Sequence, residues 1–133
     1  MSIDALLYDY IIREENYQDG EIIIEEGSTG YWVYVVMEGR VNINKETPKG
    51  TLTIDTLKED AFFGEMAFFQ AVKDVQFASA VADGPVVIGA LDTERLTRDL
   101  NTLSPRLKKL IDTLLKRRME ATQKFVELTL KSK

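Results

Sequence analysis

The chain has 133 residues and a net charge of −5, with 44% hydrophobic and 29% charged residues, which is the length and composition of a single globular domain. Cys and His are both absent, which excludes a disulfide framework, a Cys/His zinc site and a His-activated nucleophile, and we therefore expect no enzyme. No apolar run approaches the length of a membrane span and no secretory signal opens the chain, so we expect a cytoplasmic protein without a membrane segment.

The first predicted element is a short helix within residues 1–15. Apolar residues recur there at helical spacing, and Ser2 or Asp4 can cap the helix. These apolar residues are Ile3, Leu6, Leu7, Tyr10 and Ile11. A stripe of this kind is typical of packing, so we expect the helix to lie against the side of the main domain.

Residues 16–92 read as β structure. β-branched and aromatic runs alternate there with turn signals: a hairpin at Glu38-Gly39, a Pro-containing turn at Thr47–Gly50 and a turn at Asp83-Gly84. About eight short strands in this arrangement predict an eight-stranded jelly-roll β-barrel, in a mainly β fold with flanking helices. A metal-binding cupin with the same architecture is disfavoured because the chain has no His.

One stretch inside the β region, residues 62–82, has the order strand, glycine, short helix, loop and strand. Gly64 has no Cβ, so a ligand or another backbone can approach it closely. The amides that follow lie at a helix N-terminus, where unsatisfied N–H groups and the helix dipole favour an anion such as a phosphate.

The run Phe63-Gly64-Glu65-Met66-Ala67, with the strand Gln76-Phe77-Ala78-Ser79-Ala80, resembles the phosphate-binding cassette of cyclic nucleotide-binding domains. The resemblance extends from about Tyr17 onward and implies a regulatory ligand domain for cAMP or cGMP. It implies that the amides of Gly64 and Met66 face the ligand and that Glu65 accepts the ribose hydroxyl. The candidate ligand-binding residues are Phe63, Gly64, Glu65, Met66, Ala67, Gln76, Phe77, Ala78 and Ser79.

Gln76 departs from the family pattern, which has an arginine at this position to neutralise the phosphate. Replacing that charged hydrogen bond by a neutral amide costs about 1.5–3 kcal/mol. Lys73, in the intervening loop, is a candidate substitute cation, and Phe77 can fill part of the pocket. Three interpretations stay open: a module that holds a small anion weakly or not at all, a true cAMP or cGMP sensor, and a ligand-free interaction module. No other cofactor and no metal is expected.

Two helices are predicted over residues 93–131. Asp92 or Thr93 caps the first, and Ser104-Pro105 begins a long second helix. The second helix carries a heptad-like repeat, here called the seam, which predicts a homodimer through this helix. The seam consists of Leu107, Ile111, Leu114, Arg118, Ala121, Phe125 and Leu128.

Charge is distributed unevenly between the two parts of the chain. Residues 104–133 contain nine Lys/Arg and three Asp/Glu, a net charge of +6, whereas residues 1–103 contain eight and nineteen, a net charge of −11. The acidic body disfavours nucleic acid as a partner, and the basic helix can also contact an acidic protein surface. In transcription factors of the resembling family such a helix leads into a DNA-binding domain, and none follows before Lys133. We therefore predict one domain over residues 1–133, a stand-alone regulatory module that signals through its C-terminal helix.

Overall fold

The structure is a computed structural model that describes residues 8–29, 32–65 and 76–131. Six strands and two helices are present in these ranges. The strands are β1 (Ile11–Tyr17), β2 (Ile22–Ile24), β3 (Tyr34–Thr47), β4 (Gly50–Leu57), β5 (Phe62–Phe63) and β6 (Ser79–Leu91). The helices are α1 (Thr93–Asn101) and α2 (Pro105–Lys131).

All six strands belong to one antiparallel sheet. Its main path has the order β1-β6-β3-β4, while β2 pairs with β6 and β5 pairs with β3. The mainly β fold with a long C-terminal helix is as predicted from the sequence. The predicted count of eight strands and the closed barrel are not confirmed, since the described ranges form six strands and the two end strands of the path, β1 and β4, do not pair with each other.

The difference in strand number arises at two glycine-containing signals. The hairpin predicted at Glu38-Gly39 is wrong, because β3 continues through it with register shifts on either side of Glu38. Gly39 has φ 89°, and a Cβ there would lie 2.4 Å from the carbonyl oxygen of Pro85 on the paired strand. β6 likewise continues through Asp83-Gly84. A glycine with positive φ serves a bulge as well as a hairpin, so the local signal cannot distinguish them.

The predicted turn at Thr47–Gly50 is confirmed. Thr47 pairs with Gly50, and the strands β3 and β4 form the hairpin on either side. The Thr47 hydroxyl donates to the Gly50 carbonyl at 2.6 Å and accepts from the Lys49 amide at 3.2 Å, so the side chain supports the turn.

The N-terminal helix predicted over residues 1–15 is not confirmed. Residues 1–7 lie outside the described ranges, and Ile11–Tyr17 form β1, which pairs with β6 from Ile11↔Leu91 to Tyr17↔Val86. Ile11 continued the helical spacing of the preceding apolar residues, but pairing with a long neighbouring strand satisfies more backbone groups than one further helical turn. Tertiary pairing therefore overrides the local pattern here.

The core is formed by side chains of the two long strands, β3 and β6, together with Ile24 of β2 and Phe63 of β5. Its most buried members include Val36, Val41 and Ile88, which have no exposed surface. The other buried members of this cluster are Ile24, Tyr34, Phe63, Ala80, Ala82, Val86 and Ala90. Phe63 and Ala80 belong to this core and also line the cavity described below, so the candidate site adjoins the core.

Both helix starts are as predicted. The Asp92 side chain accepts from the Arg95 amide at 3.1 Å and caps α1, and the Ser104 hydroxyl accepts from the Leu107 amide at 3.2 Å before Pro105 begins α2. With 27 residues, α2 is about 40 Å long at 1.5 Å per residue. Neither helix in the described part of the chain has the length and apolar character required to cross a membrane.

Candidate functional site

A cavity of about 140 Å³ lies between the sheet, the start of the cassette and α2. Its polar residues come from four elements and their connections: Asp55 on β4, Glu65 after β5, Gln76 before β6, and Arg118 and Thr122 on α2. Its apolar walls are Ile24, Ile43, Ile54, Leu57, Phe62, Phe63, Phe77, Ala78 and Ala80. The described cassette residues other than Ser79 therefore lie around one cavity, whose wall also includes Asp55, Arg118 and Thr122.

Gly64 is required by the close approach of another backbone. It has φ 84°, in the left-handed region, and a Cβ built on it would lie 2.3 Å from the carbonyl oxygen of Trp32. The same Cβ would lie 3.1 Å from Cδ1 of Ile24. The sequence allowed either a ligand or another backbone to approach Gly64 closely. In the structure, the group that does so is the backbone of Trp32.

Glu65 follows directly and lines the cavity with a side chain that is only 20% exposed. Its burial raises the pKa of the carboxyl above the ordinary value, while its own backbone amide and the guanidinium of Arg118 act in the opposite direction. Nη1 of Arg118 lies 3.6 Å from Oε1 of Glu65. Arg118 is 60% exposed, so this is a weak surface-type ion pair across the cavity rim.

Gln76 is 6% exposed and lines the same cavity as Glu65. Its main chain is held at both ends, since its amide donates to the Ser28 carbonyl at 3.0 Å and its carbonyl accepts from the Gly27 amide at 2.9 Å. Its side-chain Nε2 is buried and has no hydrogen-bond partner within the described ranges. An unsatisfied buried donor costs about 1–3 kcal/mol, so an acceptor in the cavity would relieve this residue.

Phe77 and Ala78 also line the cavity, and Phe77 is held from outside by a lysine. Nζ of Lys45 lies 4.1 Å from the centre of the Phe77 ring and donates to the Phe77 carbonyl at 2.9 Å. The same ammonium pairs with Oε2 of Glu26 at 3.0 Å. Lys45 therefore fixes the wall of the cavity and has its charge satisfied.

Sequence analysis did not identify Lys45. The signal was available in the alternation of β3, where Ile43 and Lys45 share one face and Ile43 lines the cavity. Arg118 was placed in the helix seam, where it interrupted an apolar repeat. Its contact with Glu65 depends on how α2 crosses the sheet, and no local pattern encodes that crossing.

Two predicted ligand residues serve the fold in this structure. The Ser79 hydroxyl accepts from the Glu26 amide at 2.9 Å and so joins β6 to the segment after β2. Phe63 is 3% exposed, and its ring centre lies 5.3 Å from that of Tyr34 in the core. Met66, Ala67 and Lys73 lie outside the described ranges, and their roles stay predictions.

Four apolar members of the predicted seam are exposed on α2. Leu107, Leu114, Phe125 and Leu128 are between 42% and 55% exposed, while Met119 and Val126, on another face, are buried. Ile111 is half-buried and Ala121 is exposed. Arg118, the one charged member of the seam, reaches Glu65 of its own chain instead of leaving its charge unpaired.

Comparison with known sequences gives two kinds of match. The profile described as cyclic nucleotide-binding domain matches residues 14–102. A cAMP-dependent protein kinase regulatory subunit from Dictyostelium discoideum is 30% identical over 115 residues, and a cAMP/cGMP-dependent 3′,5′-cAMP/cGMP phosphodiesterase B from the same organism is 26% identical over 113 residues. The matches cover 84% and 81% of this chain, but the chain spans only 32% and 10% of those two proteins.

Comparison with solved structures gives the same fold. The catabolite activator protein of Thermus thermophilus superposes with a TM-score of 0.68 at 28% identity, covering 96% of this chain and 58% of that chain. The EAL enzyme Bd1971 in its cAMP-bound form superposes with a TM-score of 0.75 at 25% identity, covering 90% of this chain and 30% of that chain.

Proposed function

Because the chain belongs to the cyclic nucleotide-binding domain family, we propose that it works as a regulatory module whose cavity binds cyclic nucleotides only weakly and whose output is the position of α2. The curated relatives named above include a kinase regulatory subunit, which supports a regulatory role. A cytoplasmic location stays a prediction.

Gln76 is the observation that supports weak binding. It stands where the resembling cassette has an arginine, it is 6% exposed, and it is the cassette side chain that lines the cavity from the β6 side together with Phe77 and Ala78. A neutral amide cannot neutralise the single negative charge of a cyclic phosphate. Within the described ranges the other cations near the cavity are already engaged, Lys45 with Glu26 and Arg118 with Glu65.

Calorimetric titration with cAMP and cGMP tests this proposal directly. We expect Gln76→Arg to bind at least one of the two about 10- to 150-fold more tightly than the wild type, which corresponds to one charge-assisted hydrogen bond. Gln18→Arg, at an exposed position away from the cavity, adds the same charge and should leave affinity unchanged. A wild type that binds as tightly as Gln76→Arg would overturn the proposal.

Arg118 is the contact through which the cavity would act on α2. Its guanidinium meets Glu65, the residue whose equivalent in the resembling family accepts the ligand's hydroxyl. A ligand that engages Glu65 competes with Arg118 for the same carboxylate. Binding therefore changes what holds the middle of α2 to the cassette, and this differential contact is what a shift between two helix positions requires.

We also propose that α2 pairs with α2 of a second copy along the seam. Support comes from the heptad spacing, from the exposure of Leu107, Leu114, Phe125 and Leu128, and from a helix about 40 Å long. An apolar stripe of this kind on an isolated chain is typical of an interaction site.

Sedimentation analysis over a range of concentrations tests the pairing. We expect the wild type to sediment as a dimer and Leu114→Glu to sediment as a monomer, because the substitution places a charge in the middle of the seam. Gln123→Glu, at an exposed α2 position outside the seam, provides the matched control and should remain dimeric. A monomeric wild type at every concentration would exclude the homodimer.

A further inference from the structure

We propose that the cavity takes an uncharged ligand of the nucleoside class in preference to a cyclic nucleotide. This inference rests on the proposed function, since it concerns the same cavity, and it names the kind of ligand that the cavity favours. Three features of the described residues carry it: the amide of Gln76, the charges around the cavity and the apolar walls.

The Gln76 amide favours a neutral acceptor. Its Nε2 is buried and without a partner within the described ranges, although its main chain is fixed by Ser28 and Gly27. Those main-chain bonds keep the side chain at the cavity, where an acceptor on a ligand would satisfy it. A carbonyl, hydroxyl or ring nitrogen provides such an acceptor without bringing a charge that the amide cannot neutralise.

The charges around the cavity disfavour an anion. Among the described lining residues, the carboxyl groups of Asp55 and Glu65 are set against one guanidinium, that of Arg118, which is exposed and already paired with Glu65. A cyclic phosphate would add a negative charge beside Glu65, whose side chain is only 20% exposed, and near the exposed Asp55, and like charges close together repel. An uncharged ligand with a hydroxyl group meets no such repulsion, and the hydroxyl can donate to Glu65.

The walls suit a flat apolar face. Ile24, Ile43 and Ile54 come from three strands, and Phe77 closes the same space with an aromatic ring. Apolar walls with a few polar groups at one side are the usual composition of a small-molecule site. A nucleoside combines the two requirements, because its base has apolar faces and acceptor edges and its sugar supplies hydroxyl donors.

Titration of the full chain with adenosine, guanosine, cAMP and cGMP tests the inference by calorimetry. We expect the wild type to bind one nucleoside at least about tenfold more tightly than the corresponding cyclic nucleotide, and Gln76→Arg to reverse this order. Gln76→Met keeps the length of the side chain and removes the amide, so it should lose about tenfold in nucleoside affinity. A thermal melt of each variant establishes that it is folded.

The outcomes separate the inference from the proposed function. If the wild type binds cyclic nucleotides weakly and nucleosides no better, the inference is wrong while the proposed function stands. If the wild type binds a cyclic nucleotide as tightly as Gln76→Arg does, both are wrong. Nucleoside binding that is the same in the wild type and in Gln76→Met also overturns the inference, because the amide would then contribute nothing.

Discussion

Lys45 contacts Phe77 and Gln76 precedes it in the chain, and the two residues differ in how their polar groups are satisfied. The Lys45 ammonium, with 23% of its side chain exposed, has a carboxylate, a carbonyl and an aromatic ring around it. The Gln76 amide is more deeply buried and its Nε2 has no partner within the described ranges. A buried polar group with all its partners supports the structure around a site. A buried donor without a partner is a position at which a ligand could supply the missing acceptor.

The largest expected change in the free energy of unfolding comes from removing the Lys45 ammonium, whose contacts are all formed. Lys45→Met should lower the free energy of unfolding by about 2 kcal/mol, because it leaves the half-buried Glu26 carboxylate without its cation and the Phe77 carbonyl without its donor. Urea denaturation measures the change. Lys58→Met, at an exposed position, serves as the matched control and should stay close to the wild type. Equal stabilities of the two variants would show that the Lys45 contacts do not stabilise the fold.

Removing the Gln76 amide should change the free energy of unfolding in the opposite direction. Gln76→Met should raise the free energy of unfolding of the ligand-free protein by about 1 kcal/mol, because a buried donor that has no partner among the described residues is replaced by an apolar side chain of similar length. The same denaturation experiment measures it. A clear loss of stability would show that the Gln76 amide has a hydrogen-bond partner in solution. Gln76 and Lys45 would then not differ in this respect.

The smallest effect concerns Glu65 and depends on pH. Because burial raises the pKa of this carboxyl in the folded protein above its ordinary value of 4.5, the folded chain binds the proton more tightly than the unfolded chain does. The wild type should therefore lose stability relative to Glu65→Gln as pH rises from about 4.5 through the raised folded-state pKa. Glu59→Gln, at an exposed position, is the control. A difference between wild type and Glu65→Gln that does not change with pH would contradict the predicted direction.

One turn and two helix starts were predicted correctly from the sequence because short-range hydrogen bonds determine them. The Thr47–Gly50 turn, the Asp92 cap and the Ser104-Pro105 helix start each depend on a side chain bonding to its own backbone a few residues away. The cassette was predicted instead from its resemblance to a known family, and in the structure Gly64, Glu65 and Gln76 line one cavity.

The remaining features depend on partners distant in sequence. Whether Gly39 closes a hairpin or opens a bulge depends on Pro85 of the paired strand, and whether Ile11 is helical or extended depends on Leu91. Arg118 could be recognised as an interruption of the seam, but its contact with Glu65 requires the crossing of α2 over the cavity. These contacts join residues that are distant in sequence, so they can be identified only once the complete fold is known.

The main-chain bonds of Gln76 have a consequence for how such a site can change. Its amide and carbonyl are held by Ser28 and Gly27, and neither bond involves its side chain. A single codon change at this position can therefore exchange one side-chain head group for another while the surrounding framework stays in place. Related sequences can thus differ in side-chain charge at position 76 while the same two main-chain bonds hold the segment.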